Sequence, residues 1–385
     1  MFIRSQTDDR RVIILDISHL FYKYAWGGAS SLSVTMMDMN GQPVVVDTTL
    51  PSYSIKQVHN WALGGKNPMV VCFDSKGATV SRKGYFIKHK DVLLKNAKDD
   101  KGFGYKADRQ FQNDSFYRGC EDTLRLLHYG GVMCLRGDGY EADDLICAAV
   151  AKAKEDYPNL PIDVITGDAD LLPLVDDQVS VFLRSVKKTW AESPEIEKKH
   201  YVQVTPNNYQ EYVQGLSSFK NLYVPYNTVL LTKLLRGDKA DNVPTCPGIT
   251  PKKYKKLLED MVADGIDLAT LCYYDKPTET ICYRANEQPI PPELLDKIPN
   301  EQKMIKFGEP PCITRLCNIL SNYLEPDQVN FVRVVYNGIN LNCAYTGLGD
   351  TLNRRPAKIR DHIRGYNAAN LQTAVSTYQI RLKTF

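Results

Sequence analysis

Three short apolar runs in this chain end at an aspartate or just before one. They are Arg11 to Asp16 (RVIILD), Met69 to Asp74 (MVVCFD) and Ile162 to Thr166 (IDVIT), the last leading into Gly-Asp-Ala-Asp. Runs this short, rich in β-branched residues and lacking polar alternation, suit strands buried on both faces of a parallel sheet. Gly131 to Leu135 and Val179 to Leu183 read as two more. The carboxyl ends of strands in an open parallel sheet form its ligand-binding edge, which directs Asp16, Asp74, Asp168 and Asp170 into one crevice. Between the strands lie helical patterns. The clearest runs from Ala142 to Tyr157, where Ala142, Leu145, Ile146, Ala149, Val150 and Ala153 form an apolar stripe that Pro158 stops. Alternating strands and helices predict an α/β core. The motif Gly139-Tyr-Glu-Ala-Asp-Asp144 adds Glu141, Asp143 and Asp144 at the start of that helix, with Glu141 and Asp144 on one face.

Each of these seven acids alone has a plain structural explanation, as a loop former, a helix cap or a partner of the helix dipole. Together they do not, because like charges within a few ångströms destabilise a fold unless something positive joins them. Oxygen donors clustered without His or Cys suit a hard divalent ion, Mg²⁺ or Mn²⁺, rather than zinc.

Charge is distributed to match. The net charge is only +3, but from Lys76 to Arg109 there are ten Lys or Arg against four Asp, and from Asn353 to the end seven against one. The first stretch, which contains Lys83 and Lys90, would meet a phosphate backbone. A second basic group, Lys252, Lys253, Lys255 and Lys256, follows a turn at a helix start, where backbone N–H groups and the dipole also attract phosphate. A solvated helix face is the simpler alternative for either group.

With 43% hydrophobic and 24% charged residues the chain is expected to fold throughout, and the absence of any apolar run of roughly 18 residues argues against a membrane span. The N-terminus has no signal-peptide pattern, so a cytoplasmic location is expected, in the host cell if the chain is phage-encoded. The 10 cysteines have no C-x-x-C pair and read as reduced, buried thiols. No Walker A motif occurs, and no G-x-G-x-x-G follows a strand, which removes ATPase and dinucleotide-binding readings.

The blocks VIILDISHLFYK, VVCFDSKG, GYKADR, GYEADD, ITGDADLLPLV and LLRGDKADNVPTCPGITPKK, between residues 12 and 253, resemble the flap endonuclease and 5′-to-3′ exonuclease family in order and spacing. The resemblance is nearest to the bacteriophage members and the nuclease part of DNA polymerase I. It implies a PIN-like parallel-sheet core with helices on both faces, a helical arch, and a helix-three-turn-helix subdomain. The expected division is a core over 1–225 with the basic arch about 76–120, a helical subdomain over 226–345 with the helix-three-turn-helix about 238–260, and a basic extension over 346–385.

Carried over by position, the resemblance makes Asp16, Asp74, Glu141, Asp143, Asp144, Asp168, Asp170 and Asp241 ligands of a two-metal site for Mg²⁺, with Mn²⁺ as a substitute, and Asp238 an outer-shell acid. Lys106 and Arg109 match the basic pair at the base of the arch. Tyr105 is placed either to stack on a terminal base or to pack in the core. Gly248, Thr250, Lys252 and Lys253 fall in the element that grips duplex backbone and, in the family, often binds K⁺; Thr250 stands where the family often has Gly, and Asp108 where a neutral residue is common. The implied partner is DNA with a 5′ flap, nick or RNA primer, with single-strand-binding and other replication proteins beyond it, and the chain a monomer. Two alternatives remain. A PIN-type ribonuclease would share the crevice but lack TCPGITPKK, and a non-catalytic DNA-binding scaffold would have lost ligands.

Overall fold

A computed structural model describes residues 10–26, 29–74, 79–94, 104–106, 114–137, 140–184, 201–215, 228–268, 311–339, 359 and 361–384. These fall into two compact units, one drawn from 1–78, 109–208 and 357–385, the other from 79–108 and 209–356.

The first unit is built on a six-stranded sheet. Its strands are β1 (Val12–Asp16), β4 (Met69–Cys72), β5 (Met133–Leu135), β6 (Ile162–Thr166), β7 (Val179–Arg184) and β8 (Tyr201–Val204), in the order β5-β4-β1-β6-β7-β8. All neighbours run parallel except β7 and β8. The central strands β1, β4 and β6 are buried along their whole length, as their largely apolar runs require, and the one acid in the interior of these strands, Asp163 of β6, is paired with Arg11 at 2.8 Å. Helices α1 (Ile17–Trp26), α2 (Thr49–Trp61), α5 (Asp114–Tyr129) and α6 (Ala142–Asp156) belong to the same unit, and a two-stranded antiparallel sheet, β2 (Ser33–Met37) with β3 (Pro43–Asp47), stands apart from the main sheet. The sequence reading did not anticipate β2, β3 or the antiparallel edge strand β8.

The last described segment closes this unit. Tyr366, Leu371, Val375 and Ile380 lie in the core that also holds Leu15, Val58 and Leu127. The chain enters through backbone contacts: Met69 N donates to the Arg364 carbonyl (3.2 Å) and Ile363 N to Asp156 (2.9 Å). Gly65 and Gly365 allow the close approach, since a Cβ on either would fall about 2 Å from a carbonyl oxygen of the other segment. The basic extension expected from composition is thus, over residues 361–384, a packed part of the unit; its charge count obscured four apolar positions.

In the second unit, α3 (Val80–Lys88), α4 (Lys90–Leu93), α7 (Tyr209–Gly215), α8 (Val229–Arg236), α9 (Pro251–Ala263), α10 (Pro311–Leu320) and α11 (Pro326–Ile339) are the helices among the described residues. Phe86, Tyr105, Leu231, Leu234, Tyr254, Leu258, Leu316, Phe331 and Val335 build its core. The Pro-rich connector expected over 284–312 lies almost wholly outside the described residues, as do 95–103 and 107–113 of the expected arch, Arg109 among them, and residues 346–358; the described part of the arch includes α3 and α4.

Candidate functional site

Asp16 is the last residue of β1 and sits beside the ends of β4 and β6. Burial, and next the charge of Asp74, push its carboxyl up to about 7, with Asp168 adding to the rise; hydrogen bonds from Thr166 and Ser18 act the other way. Thr166 Oγ1 donates to Asp16 Oδ2 at 2.9 Å and accepts from Asp168 N at 3.0 Å, so one hydroxyl ties the ends of β1 and β6 to the loop beyond. Ser18 N donates to Asp16 Oδ1 at 3.0 Å, and Asp170 N to Asp168 Oδ1 at 2.9 Å, which turns the chain into a 3₁₀ helix over Ala169–Leu174. His19 contacts the Asp16 carbonyl with one ring nitrogen and Tyr201 Oη with the other at 2.7 Å, and burial lowers its pKa to about 3, so it is neutral.

Asp74 Oδ1 accepts from Ala142 N at 2.7 Å, which brings the end of β4 to the first turn of α6. There Glu141 and Asp144 form a reciprocal capping box, Glu141 N donating to Asp144 Oδ2 at 3.0 Å. Burial, and after it Asp16, Cys134 and Asp143, raise the Cys72 thiol, which puts Asp143 in the same surroundings as Asp16. The fold of the first unit therefore gathers Asp16, Asp74, Glu141, Asp143, Asp144, Asp168 and Asp170 at one sheet edge. Some of them cap a helix or shape a loop as well, the plain explanation the sequence allowed. Thr166, Ser18 and His19 were missed; their signal was position alone, two or three residues from the aspartates.

The acids of the second unit are held differently. Asp238 Oδ2 lies 2.5 Å from Lys233 Nζ, and Oδ1 accepts from Ala240 N at 2.8 Å. Burial works to raise its pKa, but Lys233 and the backbone donors prevail and hold it below the ordinary carboxylate range. Asp238 also pairs through its backbone with Val243 and so shapes the turn that carries Asp241. Asp241 Oδ1 is 3.8 Å from Lys106 Nζ, its Oδ2 accepts from Tyr105 Oη at 3.2 Å, and its carbonyl accepts from Lys106 N at 3.0 Å. Lys106 is 7% exposed and left-handed, with φ 51°, a conformation that costs a non-glycine residue about 1–3 kcal/mol and persists where surrounding contacts impose it. Its ammonium lies 4.9 Å from the Tyr105 ring centroid. Tyr105 itself is 2% exposed, packed 5.5 Å from Phe86; the base-stacking option for it is replaced by the packed one, because its ring is enclosed in the core.

Thr250 caps α9: its Oγ1 accepts from Lys253 N at 3.3 Å, and Pro251 follows at the first helical position. Gly248 is left-handed at φ 76°, so the turn keeps its glycine where the geometry demands one, while Thr250 serves as the cap. Lys252, Lys253, Lys255 and Lys256 are exposed along α9; Lys83 and Lys90 are half-buried.

A family model described as the 5′-3′ exonuclease, N-terminal resolvase-like domain, matches residues 11–203, half of the chain. The chain belongs to this family. DNA polymerase I of Mycobacterium bovis is 31% identical over 159 residues, 40% of this chain and 15% of the polymerase. A 5′-3′ exonuclease of Mycoplasma pneumoniae is 34% identical over 134 residues, 35% of this chain and 39% of that protein. The chain thus spans only a minor part of the length of these relatives. A solved structure of the T5 5′-exonuclease with divalent metal ions (zinc) bound aligns over 96% of this chain and 99% of its own, at 13% identity and a TM-score of 0.46. No described helix is long and apolar enough to cross a membrane.

Proposed function

We propose that the chain is a structure-specific 5′-nuclease that hydrolyses phosphodiesters of DNA, or of RNA paired with DNA, near a free 5′ end, using Mg²⁺ or Mn²⁺. The observation that carries this reading is the sheet edge where Asp16 is buried against Asp74 and Asp168 and pushed up to about 7. A set of oxygen donors under mutual repulsion, running from the buried Asp16 to the exposed Asp74, fits a hard divalent cation. The family membership supports the reaction class.

When bound, the cations would supply the Lewis acidity that lowers the pKa of the attacking water and stabilises the departing 3′ oxygen. Asp16, Asp74, Asp168 and Asp170, with Glu141, Asp143 and Asp144, would hold them, and Thr166 would keep Asp16 and Asp168 in register. Lys106, and Arg109 by its place in the motif, would neutralise charge developing on the scissile phosphate, and Asp241 and Tyr105 would hold the Lys106 ammonium ready. Lys252 and Lys253 at the start of α9 would grip duplex backbone without reading sequence. In-line displacement would leave a 5′-phosphate and a 3′-hydroxyl.

End-labelled flapped, nicked and RNA-primed duplexes, incubated with Mg²⁺, Mn²⁺ or chelator, test the proposal. Cleavage near the 5′ end that needs the metal supports it. A protein that binds these substrates and leaves them whole under every metal condition would instead be the non-catalytic scaffold, and cleavage undiminished by chelator would remove the metal from the account.

A further inference from the structure

We propose that Gly338, on helix α11, is a positioning residue for Lys106. The proposal rests on the reading of Lys106 as the group that acts on the scissile phosphate, and it assigns a task to a helix beyond the residues 11–203 that the family model matches.

Helix α11 is held against α3 at two neighbouring residues. Asn337 hydrogen-bonds the Tyr85 hydroxyl. At Gly338 the ring of Phe86 fits so closely that a Cβ would stand 2.2 Å from Cε2 and 2.9 Å from Cζ. Phe86 is wholly buried, so its ring cannot swing out into solvent without breaking the core around it. Glycine is a poor residue for a helix interior, and its presence in the last turns of α11 is explained by this close approach rather than by backbone conformation.

What rests on Phe86 is the lysine's support. The Phe86 ring packs 5.5 Å from the Tyr105 ring. One turn earlier on α3, Arg82, also wholly buried, donates from Nη1 to Tyr105 Oη at 3.5 Å. A phenol oxygen that accepts from Arg82 sends its own proton to Asp241 Oδ2, which fixes the direction of the hydrogen bond. Asp241 then presents Oδ1 to the Lys106 ammonium and its carbonyl to the Lys106 amide. The contacts run without a gap from Gly338 through Phe86 and Tyr105 to Asp241 and Lys106, all within one unit. Cores are close-packed and not freely deformable, so displacing the Phe86 ring displaces what lies on it.

The test compares wild type, Gly338→Ala, Phe86→Leu and the double variant in the full chain, well below the lowest thermal midpoint. Two quantities are read: exchange of the Lys106 amide, bonded to the Asp241 carbonyl, without DNA or metal; and single-turnover cleavage of a 5′-flap duplex at saturating DNA. Each single variant is expected to speed amide exchange and slow cleavage, Gly338→Ala by about tenfold in each, with DNA affinity within about twofold. The double variant, in which the smaller side chain makes room for the added methyl, should lie nearer wild type than either single change.

Exchange and cleavage unchanged in Gly338→Ala, with only the thermal midpoint lowered, would reduce Gly338 to a packing residue and overturn the proposal; so would additive losses in the double variant. If Gly338→Ala does not fold, Phe86→Leu carries the test, and an unchanged Lys106 exchange rate there overturns it. Wild type that fails to cleave any flap under any metal would sink the nuclease reading instead, while the exchange measurement still decides whether Gly338 positions Lys106.

Discussion

Asp16 in the first unit and Asp238 in the second are both largely buried aspartates, yet burial ends differently for the two. The groups acting on Asp16 are two further carboxylates and two neutral donors, and its pKa rises to about 7. Burial also works to raise the less enclosed Asp238, but Lys233 at 2.5 Å and backbone donors outweigh it and the pKa falls. Asp241, on the same turn, has Lys106 and Tyr105 on its two oxygens. An acid that the fold itself has matched with a lysine contributes to stability. The acids at the sheet edge instead store repulsion that an added cation relieves. The comparison separates an acid raised by neighbouring carboxylates from acids that lysines already meet, a distinction that residue type alone cannot make.

The largest expected effect follows from the first half of that contrast. Asp16→Asn should reduce cleavage by about a thousandfold or more, because it removes a ligand from the site, while leaving the thermal midpoint unchanged or raised, because it also removes a buried charge next to Asp74. A variant that loses its fold along with its activity would show that Asp16 is structural. Asp238→Ala tests the other half. It removes the Asp238 carboxylate from the buried Lys233 ammonium and should cost about 1–3 kcal/mol of unfolding free energy in denaturant titrations, with cleavage by the folded protein reduced far less than in Asp16→Asn. Lys106→Ala lies between these cases. It should lower single-turnover cleavage by about a hundredfold, roughly 2.7 kcal/mol of transition-state stabilisation, while duplex affinity changes by less than tenfold. Loss of affinity alone would make Lys106 a binding residue.

Thr166→Val is expected to have a smaller effect, about 1–2 kcal/mol of stability and roughly tenfold in cleavage, since the hydroxyl serves both Asp16 and the Asp168 amide. The smallest is a pH effect away from the acids. His59, on α2, is buried with Nδ1 against Tyr366 Oη at 3.0 Å and Nε2 against the Lys383 carbonyl at 2.6 Å, and burial lowers its pKa below the ordinary 6.5. A lowered histidine pKa means that the unfolded chain takes up the proton first. Its contribution is therefore present above pH 6.5 and is lost as pH falls from there through the folded-state value. The thermal midpoint should decline on acidification through that range, and His59→Gln should flatten the decline; equal slopes for the two proteins would remove His59 from the docking of the C-terminal segment.

Much of the sheet edge was legible in the sequence because it is written locally. An apolar run ending at or just before Asp gives strand and ligand together, and three of the six strands of the main sheet followed from such runs, with β5 and β7 following from apolar runs alone. The hairpin of β2 and β3 was not read, although PVVVD is itself a short apolar run ending in Asp; Met37, Val44 and Val45 are exposed there, so the pattern marks a strand outside the buried sheet. The C-terminal segment was misjudged because charge counting averages over residues, whereas packing depends on where Leu371 and Val375 fall along a helix. Asp238, read as an outer-shell acid, and Asp241, read as a metal ligand, each also hold a lysine, Lys233 and Lys106, which nothing local in the sequence shows; a carboxylate oxygen of one lies within 4.8 Å of a carboxylate oxygen of the other, spacing that a metal ion could bridge.

Calorimetric titration of Mn²⁺ into wild type, Asp16→Asn and Asp238→Ala, without DNA and where all three are folded, tests the contrast most directly. The account predicts that wild type binds, that Asp16→Asn loses binding by at least about tenfold in affinity, and that Asp238→Ala binds within a few-fold of wild type. Undiminished binding in Asp16→Asn, or a loss confined to Asp238→Ala, would contradict it.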